Sequence, residues 1–241
     1  MYTFDGRVRY SEVGEDGRLS LQSLLDYFQD CSTFHSEDIG LGLEYMEKIG
    51  QVWLLSAWQI CIGRYPKFGE RIVIGTAPYE FRGFMGLRNF LMRTEEGEAL
   101  AWANSIWTLM DSEKMRPVKP NEDMLAGYAP EERYPMEYAP RKIAMPADGH
   151  AVESFTVRPH HLDTNHHVNN GQYVRMAMDC IPGDFQIGQL RVEYKSQAVL
   201  GDEIYPVTAV RADKKQYTVS LNKADKSPYC VVEVTSLAGA E

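Results

Sequence analysis

With Cys31 set over Cys180, the stretch DGRLSLQSLLDYFQDC (16–31) falls on NHHVNNGQYVRMAMDC (165–180), and the text after each continues in the same order. Leu21, Leu24, Leu25 and Phe28 recur at the i, i+3, i+4, i+7 spacing of an amphipathic helix behind the N-cap candidate Ser20. Tyr173, Met176, Ala177 and Cys180 do the same behind a pair of asparagines. Strand-like text follows each helix, from Trp53 and from Gln189, with hairpin turns at Gly69-Glu70 and Gly201-Asp202. Later strands flank TEEGEA (94–99) and KADKSP (223–228). Identity between the halves is low, so pattern and spacing carry the repeat. The expectation is an α+β chain built twice, each half one long helix wrapped by an antiparallel sheet.

A repeat needs a joint. Residues 112–150 hold six of the twelve prolines and little sustained periodicity, so they read as a linker between units 1–111 and 151–241. A loop that long is unusual inside one compact domain. With 44% hydrophobic and 24% charged residues the chain can bury a globular core. No apolar run approaches the roughly 20 residues of a membrane span, and MYTFDGRVRY lacks the apolar core of a signal peptide. No membrane span and a cytoplasmic location are therefore expected. Cys31, Cys61, Cys180 and Cys230 form no CxxC pair, so buried thiols are expected in place of a disulfide framework or structural zinc. A net charge of -9 and a pI near 5.2 argue against nucleic acid as partner.

The stretch RPHHLDTNHHVNNGQYV (158–174) concentrates four of the six histidines beside Asp163, Asn165, Asn169 and Asn170. Three readings compete: a metal site, a catalytic centre, or a polar loop capping a helix. His160, His161, His166 and His167 have the atoms for a metal, but adjacent histidines rarely converge on one ion and no HExxH spacing is present. Metal is set aside on that ground.

LDTNHHVNNGQY strongly resembles the motif of acyl-acyl-carrier-protein thioesterases, Asp-x-Asn-x-His-Val-Asn-Asn-x-x-Tyr, which falls on Asp163, Asn165, His167, Val168, Asn169, Asn170 and Tyr173. The resemblance runs along essentially the whole chain. It implies tandem hotdog domains, the first (1–111) forming an acyl-chain tunnel and the second (151–241) carrying the catalysis. It further implies hydrolysis of fatty acyl thioesters of acyl carrier protein, with no metal and no cofactor. The Asn-His-x-Asn-Asn core also occurs in single-hotdog thioesterases acting on coenzyme A esters. An acyl-CoA thioesterase and a non-hydrolytic acyl-binding hotdog protein therefore remain as alternatives, and a homodimer is left open.

By resemblance Asp163, Asn165 and His167 match the family's catalytic positions. His167 suits a general base or water-positioner, Asp163 its orienting group, and Asn165 a holder of water or of the thioester carbonyl. Asn169 and Asn170, at the helix start, would either meet the substrate or cap the helix, whose free N–H groups suit an oxyanion. Tyr173 is grouped with them as a substrate contact. The first half has Asp16, Gly17 and Arg18 opposite Asn165, His166 and His167, so it cannot repeat this chemistry. It holds all four tryptophans, of which Trp53 and Trp58 are candidates for the tunnel wall. Plant members read Leu-Glu-Tyr-Arg-Arg-Glu-Cys after the helix, and their Glu and Cys fall here on Gln197 and Ala198. That removes a cysteine nucleophile and leaves Gln197 to orient water. Docking of an acidic carrier protein would draw on some of Arg64, Lys67, Arg141, Lys142, Arg175 and Lys195.

Overall fold

The computed structural model describes residues 1–163 and 165–237. The chain divides into two compact units, Met1–Ser56 with Ile62–Tyr138, and Ala57–Cys61 with Ala139–Glu241.

Unit 1 contains β1 (Tyr2–Arg7), α1 (Leu21–Asp38), α2 (Leu43–Lys48), β2 (Gln51–Ile62), β3 (Arg71–Arg82), β4 (Met85–Thr94), β5 (Ala99–Asp111) and α3 (Glu122–Tyr128). Its strands lie in the order β1-β3-β4-β5-β2, with β1/β3, β3/β4 and β4/β5 antiparallel. The Ser20 hydroxyl accepts the Ser23 N–H at 3.1 Å and starts α1, as the sequence predicts. From there Leu24, Leu25, Phe28 and Cys31 turn inward, and Phe28 stacks 5.3 Å from Phe90 on β4. Burying a side chain such as Leu24 or Phe28 contributes roughly 1.5–3 kcal/mol each.

The same interior holds Arg88, whose Nη1 meets His35 Nδ1 at 3.1 Å and the Thr76 hydroxyl at 3.3 Å beneath the Tyr128 ring. Burial and this guanidinium lower the pKa of His35 to about 4, which suits a neutral ring accepting from arginine. Within the proline-rich stretch, Asn121 caps α3, whose Met124 and Tyr128 join Leu41, Met46 and Leu109 in a small core. At seven residues α3 is too short for helical periodicity to show in the sequence.

Unit 2 contains β6 (His150–Ala151), β7 (Phe155–Thr156), α4 (Asn170–Met178), β8 (Ile187–Tyr194), β9 (Glu203–Val210), β10 (Gln216–Asn222) and β11 (Pro228–Ser236). Its strand order is β2 (through Ala57–Cys61), β8, β11, β10, β9, β6, with β7 on β9. Helix α4 buries Tyr173, Val174, Met176 and Ala177. It runs for nine residues, half the length of α1, and Cys180 lies beyond it in a turn that leads to Pro182 and Gly183.

The duplication is legible bond by bond. In unit 1 Gly14 N–H donates to the Arg18 carbonyl, Gly17 N–H to Gly14, Leu19 N–H to Pro66 and Ser20 N–H to Glu12. In unit 2 Asp163 N–H donates to His167, His166 N–H to Asp163, Val168 N–H to Ala198 and Asn169 N–H to His161. The turns match as well, since Gly69 N–H bonds the Val8 carbonyl and Gly201 N–H bonds that of Val157. Each unit thus has a helix laid on an antiparallel sheet and entered through the same tight loop, the tandem hotdog architecture.

Candidate active site

A single carboxylate shapes the loop before α4. Asp163 Oδ1 accepts the backbone N–H of Asn165 at 2.8 Å and that of His167 at 3.2 Å, coiling the segment into an Asx-type turn. Residue 166 sits at the bend with φ +60°, where unit 1 has Gly17 at φ +70°. Histidine is among the few non-glycine residues that visit this region, at a cost of roughly 1–2 kcal/mol. Asp163 therefore holds backbone: among the described residues no hydrogen bond joins its carboxylate to the His167 imidazole. The expected Asp-to-His orienting contact is replaced by a contact that positions His167 through its N–H.

His167 and Val168 then form the middle rung of a short ladder. Leu162 pairs with Val168 on one side, and His167 pairs with Val199 on the other, where the Val168 N–H reaches the Ala198 carbonyl at 2.9 Å. Opposed residues in such a pair project to the same face. Gln197 and Val199 are exposed while Ala198 is fully buried, so alternation sets Gln197 on the face that His167 and Val199 share. Asn165 is exposed and His167 half-buried on this loop.

The far side of the ladder is locked. The Tyr173 hydroxyl accepts the N–H of Ala198 at 2.7 Å from a position only 2% exposed. Tyr173 is thus a strut inside unit 2, tying α4 to the 197–199 segment. The Tyr194 hydroxyl donates to the Asn170 carbonyl at 3.0 Å, a second strut that no sequence motif marks. Asn169 is the N-cap of α4, its Oδ1 accepting the Gly171 N–H at 2.8 Å. The Asn170 N–H, first in the helix, meets no acceptor among the described residues, so it and the positive end of the helix dipole remain available.

The other histidines go elsewhere. His160 and His161 stack edge to face at 4.2 Å, and His161 Nδ1 accepts the Arg158 N–H at 3.0 Å. Among the described residues no three His, Cys, Asp or Glu side chains gather as a metal ion would need. Of the two tunnel candidates, Trp58 is buried on the Ala57–Cys61 part of β2, which belongs to unit 2 and not to the first half where the sequence reading put it, while Trp53 packs on the Leu41–Met46–Leu109 core of unit 1 with its indole N–H enclosed and without a partner among the described residues. Two docking candidates are already engaged: Arg64 is bonded to Glu70 and Glu98, and Lys195 lies 3.0 Å from Glu193.

The family description "Acyl-ACP thioesterase N-terminal domain" matches residues 1–128, and "Acyl-ACP thioesterase C-terminal domain" matches residues 145–234. A curated relative, the chloroplastic acyl-[acyl-carrier-protein] hydrolase FATB1 of Cuphea viscosissima, is 24% identical over 84% of this chain and 52% of its own length. The chain spans about half the length of the first curated relatives it matches. Among solved structures, an acyl-ACP thioesterase from Bacteroides thetaiotaomicron has a TM-score of 0.88 at 22% identity, covering 97% of this chain and 96% of that one. The 12:0-ACP thioesterase from Umbellularia californica has a TM-score of 0.84 at 20% identity, covering 98% and 97%.

Proposed function

Because the chain belongs to the acyl-ACP thioesterase family, we propose that it hydrolyses the thioester between a fatty acyl chain and acyl carrier protein, releasing a free fatty acid. The observation that carries this reading is the rung setting His167 opposite Val199, on one face with Gln197 and beside the start of α4. His167 takes a proton from water as the water oxygen bonds to the thioester carbonyl carbon. Asn165 and Gln197 orient that water, each amide able to donate one hydrogen bond and accept another. The Asn170 N–H and the helix dipole stabilise the oxyanion. As the intermediate collapses the C–S bond breaks, and the departing thiolate takes the proton back from His167. Asp163 serves by fixing the loop. With Ala198 where plant members carry cysteine, no thiol is in place to form an acyl-enzyme. The aromatic interior of unit 1, with Trp53, is the proposed wall of the acyl tunnel.

The test is a release assay with purified protein over carrier-protein and coenzyme A thioesters of several chain lengths. Faster release from the carrier protein, without a burst of leaving group, is expected. Hydrolysis confined to coenzyme A esters would reassign the carrier, and hydrolysis of neither would end the reading.

A further inference from the structure

Four cationic or protonatable groups crowd one flank of the catalytic ladder. Arg158 precedes the tight turn Pro159–His161, His160 and His161 form its edge-to-face pair, and the His161 carbonyl receives the N–H of Asn169 at the start of α4. Arg175 stands on that same helix. Arg158, His160 and Arg175 are exposed, and His161 is half-buried. None of the four makes an ion pair among the described residues. The nearest carboxylate in sequence, Asp163, is turned into its own loop, and Asp179 at the end of α4 forms no salt bridge with Arg175. Burial, then His160, Arg158 and Arg175, lower the pKa of His161, and no acidic neighbour opposes them. The chain as a whole carries a net charge of -9, and elsewhere Arg64 and Arg191 are matched with glutamates, so this flank is a local concentration of positive charge.

We propose that Arg158, His160, His161 and Arg175 form an anion subsite that receives the phosphate of the substrate's phosphopantetheine arm. This rests on the thioesterase reading above and adds the chemical group by which the arm is held. Two guanidinium groups bind phosphate through paired N–H donors, and the imidazole N–H groups add further donors beside them. Because the His161 backbone is bonded to Asn169, an arm anchored here lies along the strand that carries His167. The arm is common to acyl carrier protein and coenzyme A, so the subsite recognises what both substrates share.

The test compares one fatty acid esterified to 4′-phosphopantetheine and to pantetheine, which differ only in the phosphate. A few exposed charge contacts give about a tenfold advantage in kcat/KM to the phosphorylated substrate in the wild type. In the Arg158→Gln/Arg175→Gln double variant that advantage falls to about twofold, with a partial return in the double Lys variant. Binding is followed independently through the imidazole resonances of His160 and His161, which free 4′-phosphopantetheine shifts and pantetheine leaves in place. Equal rates on the two substrates, or an advantage that survives the double Gln variant, would overturn the subsite. A defect seen only with the carrier protein, at unchanged discrimination between the small substrates, would assign the cluster to the carrier's acidic surface instead. If no thioester is cleaved, the thioesterase reading fails and the imidazole shifts still decide whether phosphate binds. A melting curve for each variant checks that the fold is retained.

Discussion

Replacing Tyr173 by Phe removes one oxygen and nothing else from the interior of unit 2. The ring stays, so no cavity opens. What is lost is the acceptor for the Ala198 N–H, a 2.7 Å bond between two residues with almost no exposure. A buried donor left unpaired costs about 1–3 kcal/mol. At about 2–4 °C per kcal/mol for a chain of this size, the melting temperature should fall by about 2–12 °C. The same bond fixes the 197–199 segment against which His167 and Val168 pair, so catalysis should suffer beyond the loss of stability. With the ladder loosened, turnover at a temperature well below the melt is expected to drop about tenfold, since small misplacements of reacting groups carry penalties of this order. Differential scanning calorimetry and steady-state release of fatty acid from acyl carrier protein give the two numbers. A Phe variant that melts and turns over like the wild type would show that this strut supports neither the fold nor the site.

Other substitutions separate chemistry from scaffolding. His167→Ala should fold normally and lose about 10²-fold or more in turnover, and Gln197→Ala about 10- to 100-fold, both read in the release assay. Asp163→Asn retains an oxygen for the Asn165 and His167 N–H groups and should outperform Asp163→Ala in both melting temperature and turnover; an Asn variant as impaired in turnover as the Ala variant would restore a charge-based role for the carboxylate. Gly17→Ala, at φ +70° with open space around the added carbon, should cost roughly 1–2 kcal/mol from backbone strain alone, measured by denaturant titration, and leave catalysis as it was. His35 titrates in the fold well below its ordinary value, so it favours the folded state above about pH 6.5, and that contribution fades as pH falls toward about 4. His35→Gln should flatten the loss of stability over that window in thermal melts.

How much of this was legible in the sequence depended on distance along the chain. The cap at Ser20 and the turns at Gly69-Glu70 and Gly201-Asp202 are settled within a few residues, and the structure places them as the sequence predicts; Asn169, which the sequence leaves between substrate contact and cap, is the cap of α4. Helix α4 stops at Met178, short of the Cys180 that its periodicity includes, because Pro182 and Gly183 follow too closely for another turn. The direction of the Asp163 carboxylate was not legible, since either the imidazole or the loop N–H groups satisfy it and spacing cannot choose between them. Tyr173 looked like a substrate contact because it closes the motif. Its burial follows from where α4 packs, which depends on strands scores of residues away. The short helix α3 likewise emerges only once distant segments are brought together, as does the lack of an ion pair at Arg158 and Arg175 among the described residues.

The loop of unit 1 now takes on a different meaning. From Gly14 to Ser20 it makes the same backbone bonds as the segment from Asp163 to Asn169, and it meets the Pro66–Lys67 segment as the other meets Ala198–Val199. It is a mould from which the casting has been removed. Exchanging Gly14, Asp16 and Arg18 for Asp, Asn and His would write the motif into a backbone that already holds its shape, with no insertion and no new turn. Copying the site within the chain is therefore a matter of side chains, and what unit 1 lacks for the reaction would then be measured one residue at a time.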